Sequence, residues 1–167
     1  MNDMNPAAAA PQRPTLLTVI CILSFIMGLF SLWSGYRNAF TDAPQEALVE
    51  AKAQMEESMA QLGDQGTPMV QEMLESAITM AEKSVEKAKP IGYSEIVVAL
   101  LSLFGVWSMW NLRRMGFWVY LLASIASLAT PVVFLGGGIM TMLSVGIGGF
   151  ISIVFIILYA VNLKHMH

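Results

Sequence analysis

Cysteine is all but missing from this chain. Cys21 is the only one in 167 residues, which excludes an intrachain disulfide and any metal cluster built on cysteine. Histidine is confined to His165 and His167, on either side of Met166, so the body of the chain has no imidazole for acid–base or metal chemistry. Charge is scarce too. Asp, Glu, Lys and Arg make up 13% of residues, against about 25% in soluble domains. The formal net charge is −3 and no segment carries a basic stripe, so nucleic acid is not an expected partner.

Apolar residues fill the space that charge leaves, at 56% of the sequence. They gather in four runs, Leu16 to Trp33, Ile96 to Trp110, Phe117 to Leu135 and Ile139 to Val161. A hydrocarbon layer about 30 Å thick is crossed by roughly 20 apolar helical residues, because a helix pairs its own backbone groups where no water can. The second run is short, and extending it from Gly92 to Leu112 restores a full span at the cost of placing Glu95 near one membrane face. Four spans leave no room for a soluble catalytic domain, which needs about 100 to 150 residues. The fold class expected is all-α, a four-helix transmembrane bundle with an extramembrane antiparallel helical hairpin between the first two spans. In order, this gives a disordered cytoplasmic tail (1–13), span one (14–35), an external acidic hairpin (36–91), span two (92–112), span three (117–135), span four (139–163) and a cytoplasmic tail (164–167).

The first run follows Arg13 and resembles a signal peptide in position. It is read as a retained anchor, because it exceeds the usual 7 to 15 apolar residues and Ser34-Gly35-Tyr36-Arg37 offers no small-x-small cleavage site. Pro14 is expected in the first turn of that helix, where its missing N–H costs nothing. Orientation follows from Arg113 and Arg114 in the tight connection between spans two and three, since basic residues resist translocation. Arg13 and Lys164 fall on the same side and the uncharged Gly136-Gly137-Gly138 opposite, so both termini are expected in the cytoplasm.

The segment between spans one and two holds ten acidic residues against five basic ones. Leu48, Ala51, Met55, Met59 and Leu62 recur at helical spacing, as do Val70, Met73, Leu74, Ala77, Ile78, Ala81, Val85 and Ala88. The spacing predicts two amphipathic helices with a turn at Gly63-Asp64-Gln65-Gly66. Asp42 with Gln45 suggests a capping box for the first helix, and Thr67-Pro68 a cap and first-turn pair for the second. The stripes are thin, so the two helices are expected to need each other, the bundle or a partner.

Few residues here carry chemistry. Glu95 is the sole carboxylate near a span, and ionisable groups in membranes are functional candidates because desolvating them is costly. Placed at the outer start of a helix, it also has an ordinary explanation in the helix dipole. Small residues at four-residue spacing, Ser24 and Gly28, Ala123 and Ser127, then Ser144, Gly148 and Ser152, predict close helix packing. Met55 with Met59 and Met69 with Met73 are soft thioether pairs that suit Cu(I), although the apolar stripes already account for them. Tryptophans and tyrosines near the span ends read as interfacial anchors. Pro131 is expected to bend span three and free a carbonyl that Thr130 helps to satisfy. No nucleophile with a base, no paired carboxylates and no metal or cofactor motif emerges, so enzyme activity is not expected.

The stretches Arg13 to Ile26, Arg114 to Tyr120 and Leu158 to Met166 resemble those of small four-span proteins of Bacteroidota-type bacteria. The resemblance implies a bacterial inner-membrane address and carries no activity. The leading expectation is a non-enzymatic membrane protein whose hairpin docks a protein partner or another copy of itself. The alternative is a small transporter or channel subunit using Glu95.

Overall fold

The computed structural model describes residues 14–62 and 68–166. The expected tail at 1–13, the turn at Gly63 to Gly66, the Thr67 cap and His167 lie outside the described residues. Six α-helices account for nearly all of the rest, and no strand occurs among the described residues: α1 (Thr15–Phe40), α2 (Ala43–Leu62), α3 (Pro68–Glu86), α4 (Ala88–Trp110), α5 (Met115–Leu135) and α6 (Ile139–Asn162). A 3-10 turn, Leu163–His165, follows α6. Helices α1, α4, α5 and α6 are each long and apolar enough to cross a membrane. Their outward faces carry large apolar side chains such as Phe30, Trp118, Val133 and Phe150, which lipid can solvate.

Several boundaries differ from those the sequence suggests. Helix α1 begins at Thr15, with Pro14 just outside it accepting from the Thr18 amide, and runs on to Phe40. Helix α2 is capped by the Thr41 hydroxyl, which accepts from the Ala43 amide at 3.3 Å, while the Asp42 carboxylate makes no hydrogen bond among the described residues. Helix α4 starts at Ala88, because Pro90 sits in its first turn where a proline removes no helical bond. Lys87 alone separates it from α3.

In lipid, apolar burial gives no bias toward helix association, so backbones that approach closely supply the attraction. Two glycine pairs do this. A Cβ on Gly92 of α4 would meet the Gly35 carbonyl oxygen of α1 at 2.7 Å, and a Cβ on Gly116 of α5 would meet the Gly105 carbonyl oxygen of α4 at 2.5 Å. Helices α1, α4 and α5 therefore form a tightly packed row of antiparallel neighbours. Helix α6 is held differently: its buried residues are Thr141 near one end and Tyr159 and Asn162 near the other, with none in between.

The end of the bundle that holds Arg113 and Arg114 is densely filled. Leu17, Ile20, Cys21, Val106, Met109, Leu112, Phe117, Tyr159 and Met166 form one core cluster there. Met166, expected in a free tail, is 1% exposed, and Arg114 Nε donates to its carbonyl at 2.7 Å. The α4–α5 connection closes as a Schellman turn, with Leu112 N–H on the Met109 carbonyl and Arg113 N–H on that of Ser108. Leu112 takes the left-handed conformation (φ 58°) that glycine normally fills, and its side chain is buried in the core.

At the opposite end, α2 and α3 pack on each other, bridged by Lys52 and Glu82 at 2.8 Å. Helix α3 also lies against α5 and α6. Lys83 Nζ donates to the Leu135 carbonyl at 3.5 Å, and a Cβ on Gly138 would stand 3.7 Å from Ser76 Oγ. The pair therefore folds back over the bundle end.

Candidate functional site

Where α6 leaves the row of α1, α4 and α5, a cavity of about 780 Å³ opens between them. Its size is that of a pocket for a small organic molecule. Helix α4 forms the back wall with Glu95, Val98 and Ser102, while α1, α5 and α6 form the sides. Leu48 and Ala51 of α2 and Met80 and Val85 of α3 roof it. The floor holds Ser24 and Tyr120, and both rest on the buried Tyr159: its OH donates to Ser24 Oγ at 2.8 Å, and the Tyr120 and Tyr159 rings meet edge to face at 5.0 Å. Below that floor lies the core cluster, so the cavity ends blindly at the arginine end.

The walls combine apolar side chains with a seam of hydroxyls, Ser31, Ser34, Ser102, Ser124, Ser127 and Thr130. Ser31, Ser34 and Ser127 are exposed although they sit within apolar helices, so the space communicates with the exterior. Ser124 and Thr130 donate to the carbonyls of Tyr120 and Ala126, one turn back on α5. Thr130 thus serves Ala126, while the carbonyl that Pro131 leaves without its helical N–H belongs to Ser127; both Pro131 and Ser127 line the cavity.

Glu95 is the one carboxylate in the lining. It lies two turns inside α4, so the dipole at the start of a helix does not account for it. Its partners stand across on α1: Asn38 Nδ2 donates to Oε2 at 2.9 Å, and Ser34 Oγ to the same oxygen at 3.4 Å. Oε1 accepts no bond among the described residues and is not sealed from solvent. Among the described residues, no Lys or Arg lines the cavity and no cation pairs with Glu95.

Of the small residues singled out for packing, Ser24, Gly28, Ala123, Ser127 and Ser152 all line the cavity. Gly28 also meets Leu103 closely, Gly148 touches Leu128 at ordinary distance, and Ser144 is exposed and outside the lining. The close approaches to another helix's backbone fall instead on Gly35, Gly92, Gly105 and Gly116, which were not singled out in the sequence. The methionine pairs divide, with Met55 and Met73 half-buried and Met59 and Met69 exposed. Among the described residues, no group of His, Cys, Asp or Glu is placed to hold a metal ion. Arg113 and Arg114 stand together in the α4–α5 connection. Comparison with protein-family descriptions, curated proteins and solved structures finds no match.

Proposed function

We propose that this chain is a multi-pass protein of a bacterial inner membrane that receives a small ligand in the cavity beneath α2 and α3, as a binding or transport component rather than an enzyme. In this reading the α2–α3 pair is an antiparallel hairpin outside the lipid, and Arg113 and Arg114 hold the other face in the cytoplasm. The observation that carries it is the cavity itself: a blind space walled by four apolar helices, with one carboxylate near its roof. A helix bundle that only needed to persist in lipid would close such a space, because each unfilled volume forfeits dispersion contacts. The polar groups among the described lining residues are hydroxyls, an amide and Glu95, a set suited to binding and orienting a small molecule.

A second reading, docking of a protein partner or a further copy on the hairpin, has one observation in its favour. Val49, Met59 and Met69 are exposed on α2 and α3. Leu48, Ala51, Ala81 and Val85 of those stripes lie over the cavity.

The test compares two positions on α5. Ser127 faces the cavity, whereas Ile125 is 57% exposed and lies outside the lining. In membranes holding the full chain, a cysteine at 127 should react with a charged thiol reagent and one at 125 should not. Equal protection of both would remove the proposal. Cys21, at 0% exposure, is the internal background.

A further inference from the structure

The chemistry of the Glu95 corner narrows the ligand, an inference that rests on the cavity reading above. An ionised carboxylate among apolar helices is costly unless neutralised, and the lining offers no Lys or Arg to do so. Asn38 and Ser34 both donate to Oε2, and Oε1 is left open with no partner among the described residues. A cationic group of a ligand set against Oε1 would offset that cost, so the corner suits a cation.

The kind of cation follows from the surroundings. A divalent metal ion asks for six or more oxygen ligands, usually with several carboxylates, and here there is one. A small hydrated ion would make no use of Val98, Ile151, Phe155 and Leu135, which also line the space. A quaternary ammonium group is recognised by aromatic faces, but Tyr93 pairs with Phe40 outside the lining, and the two lining aromatics nearest the floor, Tyr120 and Phe155, lie far along the helices from Glu95. Nitrogen-bound hydrogens suit the corner better. Glu95 Oε1, the Ser34 hydroxyl oxygen and the Asn38 amide oxygen are acceptors that a primary ammonium group can share. Below them the wall runs from Glu95 to Ser102, two turns of α4 or about 10 Å, with apolar groups on most sides.

We propose that the cavity is a binding site for a primary ammonium group carried on an apolar body, with the nitrogen at Glu95, Asn38 and Ser34 and the body directed toward Tyr120 and Phe155. The ammonium neutralises the carboxylate, and the apolar portion displaces water from walls that gain little from it. Such a group exists on free alkylamines and on aminolipid headgroups.

The test measures binding of radiolabelled octylamine to the full chain in phosphatidylcholine nanodiscs. Binding should saturate, be displaced by unlabelled octylamine and not by octanol, and be weakened by octyltrimethylammonium only at much higher concentration. Glu95→Gln should lower affinity by at least about tenfold, the scale of one charge-assisted contact. Ser127→Phe leaves Glu95 untouched and fills the middle of the space, so it too should lower affinity, which keeps the test decisive if the Glu95 variant does not fold. Octylamine binding unchanged in both variants, or octanol competing as well as octylamine, would overturn the assignment. Replacing part of the phosphatidylcholine with phosphatidylethanolamine identifies the source: reduced octylamine binding assigns the headgroup, and unreduced binding assigns a free amine. If a cysteine at 127 is labelled while octylamine ignores Glu95, the cavity stands and only the ligand assignment falls.

Discussion

Tyr159 and Ser24 share a 2.8 Å hydrogen bond that joins the far end of α6 to the early turns of α1. This contact sets the floor of the cavity, because above it no residue of α6 is buried until Thr141 near its start. Tyr159→Phe removes the hydroxyl and keeps the ring. Interhelical hydrogen bonds in membranes average about 0.6 kcal/mol, so a small drop in melting temperature in mild detergent is expected. Tyr159→Ala also removes the buried ring and should cost about 3 to 5 kcal/mol. A Phe variant as damaged as the Ala variant would mean that the hydroxyl, and not the ring, holds the floor.

Gly116 tests the packed row. Its added Cβ would stand 2.5 Å from the Gly105 carbonyl oxygen and 2.7 Å from the Met109 amide nitrogen, both backbone atoms that cannot swing aside. Gly116→Ala should therefore cost about 1 to 3 kcal/mol, the usual range for overpacking. Gly146 has nothing within 4 Å of the same added atom, so Gly146→Ala should be neutral or slightly stabilising. Thermal unfolding of both in one detergent compares them, and equal losses would contradict the α4–α5 contact.

Leu112 combines a cost with a gain. Its left-handed backbone is unfavourable by about 1 to 2 kcal/mol for a residue with a Cβ. Its side chain is 7% exposed, and removing a buried leucine side chain costs about 2 to 5 kcal/mol. The second effect is larger, so Leu112→Gly should lower stability despite relieving the backbone. A gain in melting temperature would show that the leucine contributes little to the core.

The roof is tested by a crosslink. The added Cβ on Gly138 lies 3.7 Å from Ser76 Oγ, within reach of a disulfide between cysteines at the two sites. Ser76→Cys with Gly138→Cys should oxidise to an intrachain bond, visible as a mobility shift that reductant reverses. Failure to form it in membranes would separate α3 from the α5–α6 connection.

The four apolar helices were legible because a residue run that lipid must solvate announces itself in composition alone. So were α2 and α3, whose apolar positions recur at helical spacing. The start of α4 was not, since the stripe of the preceding helix was carried to Ala88 and span two was begun at Gly92, whereas Ala88 opens α4 and Pro90 sits in its first turn, where a proline is no obstacle to a helix. That shift moved Glu95 from a helix end to the wall of a cavity. Spacing within one helix likewise misses Gly35 with Gly92 and Gly105 with Gly116, because each pair is defined only once two helices are laid side by side. The cavity has no local signature at all: Ser127 and Ser152 look like packing residues until their partners prove to be empty space.

Side-specific labelling addresses the central claim, a cavity open beneath α2 and α3 and sealed at the arginine end. The full chain carrying Ser127→Cys is placed in sealed vesicles of both orientations, with a cysteine at the exposed residue Gln45 reporting which face is outward. An impermeant charged maleimide should modify position 127 when the α2–α3 face is outward and leave it unmodified when the face holding Arg113 is outward. Modification from the arginine face, or from neither, would contradict the account.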